Sequence, residues 1–165
     1  MFTGYLRYEG YMLVVKDVQN STKFYAEVLN TSTELELPGH VVFSGGLFLL
    51  AEKDWLLFTG LHSEKMTYAG LSSELVFETD DIDGFDRHLA TIKGIHIIHG
   101  IKEHPWGRRA VRFFDPDRHV VEVGESMRVV VTRLLRQGMS VEEVAAKSEF
   151  PVSFALSCEA ELGAK

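Results

Sequence analysis

The chain has 165 residues, enough for one domain with a short appendage and for a core that needs no cross-links. A net charge of −7 disfavours a nucleic-acid surface, and a hydrophobic content of 45% is that of an ordinary globular protein. One cysteine, Cys158, excludes an intrachain disulfide; the first residues lack a signal-peptide layout and no apolar run is long enough to span a bilayer, so a cytoplasmic protein is expected.

In chain order, residues 10–18, GYMLVVKDV, read as an apolar strand ending at Asp17-Val18. A helix should follow, capped by Asn20 or Ser21, with Phe24, Tyr25, Val28 and Leu29 on one face. Three strand-like segments come next, Thr33–Leu37, His40–Ser44 and Leu47–Ala51, with Pro38-Gly39 and Gly45-Gly46 as turns. The same order then recurs. Residues 74–82, ELVFETDDI, form a strand ending at Asp81-Ile82, 64 residues after Asp17-Val18. A helix carrying Phe85, Leu89 and Ile92 follows, then strands Ile95–His99, Arg109–Phe114 and His119–Gly124. A loop, Gly100–Gly107, separates the first two, and Asp115-Pro116-Asp117-Arg118 makes the last turn. The constant offset and shared order predict two tandem β-α-β-β-β modules at about 8–60 and 71–126, an α+β fold. Two such modules can form a curved mixed sheet around a cavity, the natural place for a small ligand.

From residue 127 the pattern is helical. Met127–Gln137 presents Val130, Val131, Leu134 and Leu135 at helical spacing, and Gly138 suits the C′ position. Ser140 with Glu143 reads as a capping box, and Pro151 should open a third short helix to about Cys158. "GMSVEEVAAKSEFPVSFA" resembles the first part of a helix-turn-helix unit. Yet acids and bases balance over residues 127–165, and Pro151–Cys158 has no basic or amide side chain for a base edge. A DNA-binding regulator is therefore the weakest of the functional readings. The expected role of 127–165 is a helical extension that packs on the sheet or on a second subunit, or lids the cavity.

Three stretches resemble the vicinal oxygen chelate superfamily, which contains glyoxalase I, bleomycin-resistance proteins and extradiol dioxygenases. They are "YMLVVKDVQNSTKFYAEVL", "ELVFETDDIDGF" and "PWGRRAVRFFDPDRHVVEVGE", and the likeness spans residues 8–126. The resemblance implies one metal ligand from the first and one from the last strand of each module. Those positions hold Gly10, Leu49 or Ala51, Glu74 and Glu122. Half of the set is thus present, and both members are carboxylates. Strand alternation places Val120, Glu122 and Gly124 on one face, and the resemblance makes that face the cavity side.

Two carboxylates in one apolar cavity repel each other; a divalent cation, a shared proton or a cationic partner relieves this. Nickel, zinc, manganese or magnesium would suit such a site. The expectation is a metal-dependent lyase or isomerase acting on an oxygen-rich small molecule, with Glu74 and Glu122 as ligands or as acid and base. The alternative is a metal-free binding protein that sequesters a hydrophobic or cationic ligand, in the manner of the bleomycin-resistance proteins. Trp106 and His104 should edge the cavity, with Arg109 and Phe113 as further ligand contacts. Asp115 and Asp117 read as turn formers. A homodimer without nucleic-acid or membrane partners completes the expectation.

Overall fold

The computed structural model describes residues 4–164. They fall into two compact units: one runs up to Gly70 and includes Asp115–Arg118, and the other comprises Leu71–Phe114 and His119 onward. Each unit holds one β-α-β-β-β module with its own four-stranded mixed sheet.

In the first unit β1 (Tyr11–Val15) leads into α1 (Val18–Leu29), followed by β2 (Thr33–Leu37), β3 (His40–Phe43) and β4 (Leu47–Ala51). The sheet order is β1-β4-β3-β2, with β1 parallel to β4 and the other pairs antiparallel. The helix starts earlier than the expected Asn20 or Ser21 cap. Asp17 is the N-cap, and its side chain accepts from the Asn20 backbone N–H at 3.0 Å. Asn30 closes the helix in the left-handed conformation. Tyr25 and Val28 of α1 are buried, as are Leu13, Val15, Val41, Phe43 and Leu49 on alternate strand positions. The other face of this sheet carries Met12, Val42, Phe48 and Leu50, which stand in register on β1, β3 and β4. A helix not read in the sequence, α2 (Glu52–Thr59), follows β4 directly. Its apolar residues Leu57 and Phe58 are exposed, so amphipathic periodicity, the usual helix signal, is weak there.

Asp115 and Asp117 do more than form a turn, and both are buried. The Tyr25 hydroxyl donates to Asp115 Oδ2 at 2.9 Å, and the Lys16 backbone N–H donates to Asp117 Oδ2 at 3.0 Å. Arg118 takes the positive φ that completes this turn.

In the second unit β5 (Glu74–Thr79), α3 (Ile82–Thr91), β6 (His96–Glu103), β7 (Arg109–Phe114) and β8 (Val120–Glu125) repeat the pattern, in sheet order β5-β8-β7-β6. Asp81 caps α3 by accepting from Gly84 N–H at 2.8 Å. The repeated aspartate, 64 residues after Asp17, is therefore a helix cap in both modules. Strand β6 runs to Glu103, through two register shifts, into residues expected as loop. What remains of that loop is a tight turn in which Gly107 N–H donates to His104 C=O at 2.8 Å, with Pro105 and Trp106 at its centre.

Three helices follow: α4 (Met127–Arg136), α5 (Val141–Ser148) and α6 (Val152–Gly163). The capping box of Ser140 and Glu143 is present, Gly138 has a φ of 90°, and α6 extends past Cys158. Val130, Val131, Leu134, Val141, Val144, Ala155 and Cys158 form a shared apolar core.

Candidate functional site

Strand alternation divides the second sheet into two chemically distinct faces. Val111, Phe113, Val121 and Val123 are fully or almost fully buried, and α3 meets this side through Phe85, whose ring lies 6.2 Å from that of Phe113. The opposite face carries Glu74 and Val76 from β5, Glu122 and Gly124 from β8, and Ala110 and Arg112 from β7. The register pairs Val76 with Glu122, and Glu122 with Arg112. Pairing directly across antiparallel strands brings opposite charges together.

Glu122 is only 3% exposed. It forms an ion pair with Arg112, and Arg108 Nη1 donates to its Oε1 at 2.8 Å. His104 Nε2 stands 3.9 Å from its other oxygen. Glu74 accepts from Arg112 Nε at 2.8 Å and from Nη2 at 3.3 Å. One guanidinium thus serves both glutamates. Its hydrogen bond holds the Glu74 carboxyl below the ordinary carboxylate range, and the same bond leads in raising Arg112. His99 Nε2 lies 3.3 Å from Arg112 Nη1.

Arg108 lies flat across β8. Besides Glu122, it donates from Nε to the Glu125 carbonyl at 2.8 Å. This placement needs Gly124, since a Cβ there would stand 2.7 Å from the Arg108 guanidinium carbon. The His104 and Trp106 rings stack at 4.5 Å with only 3° between their planes. His104 Nε2 is buried and has no hydrogen-bond partner among the described residues.

Glu74, Glu122 and His104 are therefore brought together on one face, with Trp106 stacked on His104. Arg109 and Phe113 are not. Odd-numbered positions of β7 point toward α3, so Phe113 is core and Arg109 pairs with Glu125 and Asp83. The arginines that neutralise the glutamates are Arg112 and Arg108, and sequence reasoning passed over both. A signal for Arg112 was present: in the hairpin that pairs Phe114 with Val120, two residues back meets two residues forward, Arg112 with Glu122.

A divalent metal of the kind the resemblance implies does not fit these residues. At Gly10 a Cβ would run into the Gly46 carbonyl and the Phe48 ring. Leu49 and Ala51 offer no donor atom, and both glutamates already hold Arg112. Among the described residues, no three His, Cys, Asp or Glu side chains converge.

A groove of about 520 Å³ adjoins this face, lined by Leu71, Ser72, Ser73, Glu74, Ile98, Arg112 and Val120. The buried carboxylate at the other end of β8, Glu125, is 0% exposed. It accepts from Arg109 Nη2 at 2.7 Å and from Arg133 Nη2 of α4 at 2.8 Å. Burial raises its pKa, but the hydrogen bonds from Arg109 and Arg133 outweigh that and leave it below the ordinary range.

Paired β-α-β-β-β modules place the chain in the class of vicinal oxygen chelate proteins. A family model described as a glyoxalase-like domain matches residues 8–128, and the chain belongs to that family. A protein of unknown function from Agrobacterium tumefaciens shares 27% identity at a TM-score of 0.67, over 76% of this chain and 98% of its own. A lactoylglutathione lyase from Agrobacterium tumefaciens shares 24% identity at a TM-score of 0.58, over 74% of this chain and 96% of its own. A glyoxalase/bleomycin resistance protein/dioxygenase from Nocardioides shares 22% identity at a TM-score of 0.60, over 74% of this chain and 85% of its own. No curated protein matches the sequence.

Proposed function

We propose that this chain is a metal-independent small-molecule-binding protein. The observation that carries the reading is Arg112, bonded to both carboxylates that would otherwise face a cation. A glutamate in such a pair is a poor general base, because its lone pairs are engaged and its carboxyl is made more acidic, as at Glu74. The groove beside it offers Leu71, Ile98 and Val120 to an apolar body, and Ser72, Ser73 and the Glu74–Arg112 pair to polar groups. The metal-dependent lyase reading draws support from the lactoylglutathione lyase structure, but at 24% identity that likeness carries fold alone.

The same reading takes the protein as a cytoplasmic homodimer. The edge strand β2, with Leu35 and Leu37 exposed, supports self-association, and the buried free thiol of Cys158 suits a reducing compartment. Sedimentation at micromolar concentration checks the dimer; a monomer there contradicts it.

Function is tested by a thermal-shift screen of small molecules with and without a chelator. The expected hit raises Tm equally in both conditions, and its effect is lost in Arg112→Ala and Glu74→Gln. A hit that stabilises only with added metal overturns the reading.

A further inference from the structure

All but the first two residues of the helical extension lie beyond those matched by the family model, yet it builds one wall of a second groove in the same unit. This groove has a volume of about 500 Å³. Val76 and Glu78 come from β5, Trp106 and Arg108 from the β6–β7 turn, and Glu149 and Phe150 from the link between α5 and α6. It shares no lining residue with the groove at Glu74 and Arg112.

Its chemistry is one-sided. Trp106 is held as a flat plate by its stack on His104, and Phe150 is braced against Phe154 at 5.1 Å. Val76 is 57% exposed beside them. The nearby cations are committed elsewhere: Arg108 to Glu122 and the Glu125 carbonyl, Arg133 to Glu125, and Lys147 to Glu103. The side chains of Glu78 and Glu149 have no hydrogen-bond or ion-pair partner among the described residues. Glu149 also holds the left-handed C-cap of α5 at φ 60°, a position glycine occupies with less strain.

We propose that this groove binds an organic cation. An ammonium or amidinium head meets Glu78 and Glu149, and a flat apolar body lies against Trp106 and Phe150. Ring faces attract a cation electrostatically, and two unmatched carboxylates on low-dielectric walls concentrate that field. The extension thereby gives the glyoxalase-like domain a site that the domain alone does not build. This proposal does not rest on the Glu74–Arg112 reading, and either can fail without the other.

The test is tryptophan fluorescence on the full chain carrying Trp55→Phe, so that Trp106 reports alone, titrated with benzyltrimethylammonium. Saturable quenching is expected, at least tenfold weaker with benzyl alcohol and about tenfold weaker in Glu78→Gln/Glu149→Gln. Both glutamates are exposed, so their exchange leaves the fold intact. Phe150→Ala should weaken binding as well. Quenching that does not saturate, or equal affinity in the double glutamine variant or for benzyl alcohol, overturns the proposal.

Discussion

Glu122 sits among valines because two arginines sit with it. A buried carboxylate is tolerated only when its charge is matched, and removing one partner of such a pair costs about 3–5 kcal/mol. Arg112→Met should therefore lower unfolding free energy by about 3 kcal/mol in urea titration, since it leaves buried Glu122 with Arg108 as its one arginine partner and releases Glu74. Glu74→Gln should cost no more than about 1 kcal/mol, because its side chain is 33% exposed and screened by water. Gly124→Ala is the smallest change with a large expected effect. One methyl displaces the Arg108 guanidinium, so a loss of about 1–3 kcal/mol is expected in the same measurement. Alternation along VVEVGE was enough to place Glu122 and Gly124 on one face. It could not show what covered them, because Arg108 lies outside any strand and reaches β8 only through the Pro-Trp-Gly turn. The importance of Arg112 over Arg109 is a parity effect. Arginines on one strand look alike in a sequence, whereas a strand sends odd and even positions to opposite faces.

At the scale of elements, most starts and stops were legible because they rest on local chemistry. The Ser140–Glu143 capping box and the Gly138 stop needed no tertiary information. The α1 cap is Asp17 and not the expected Asn20 or Ser21: three residues able to cap stand within five positions, and the matching cap at Asp81 in module two is also an aspartate. The extent of β6 was not legible, since its two register shifts break the alternation on which strand reading depends. The docking of α4 was also hidden. Arg133 reaches Glu125 and the Gly107 carbonyl, and Lys147 of α5 reaches Glu103 on β6. Glu125 titrates below its ordinary value, so its contribution is present at neutral pH and is lost as pH falls through that lowered value. Urea unfolding of wild type and Glu125→Gln should differ by about 3 kcal/mol at neutral pH, and the gap should close below the usual carboxylate range of about 4. A gap that persists in acid contradicts this role for Glu125.

For the whole molecule, the 64-residue offset correctly forecast two modules of one order, and the family match over residues 8–128 agrees with them. The two sheets nevertheless differ in chemistry. The face of the first that lies away from α1 is lined by Met12, Val42, Phe48 and Leu50, while the matching face of the second carries Glu74, Arg112 and Glu122. Donor groups persist in only one module, and there arginines accompany them. Calorimetric titration of nickel, zinc and manganese into the wild-type chain tests that claim most directly. The arginine-paired arrangement predicts no saturable heat up to millimolar metal, and no difference between wild type and Glu122→Ala. One equivalent bound at micromolar concentration by wild type, and lost in Glu122→Ala, would contradict it.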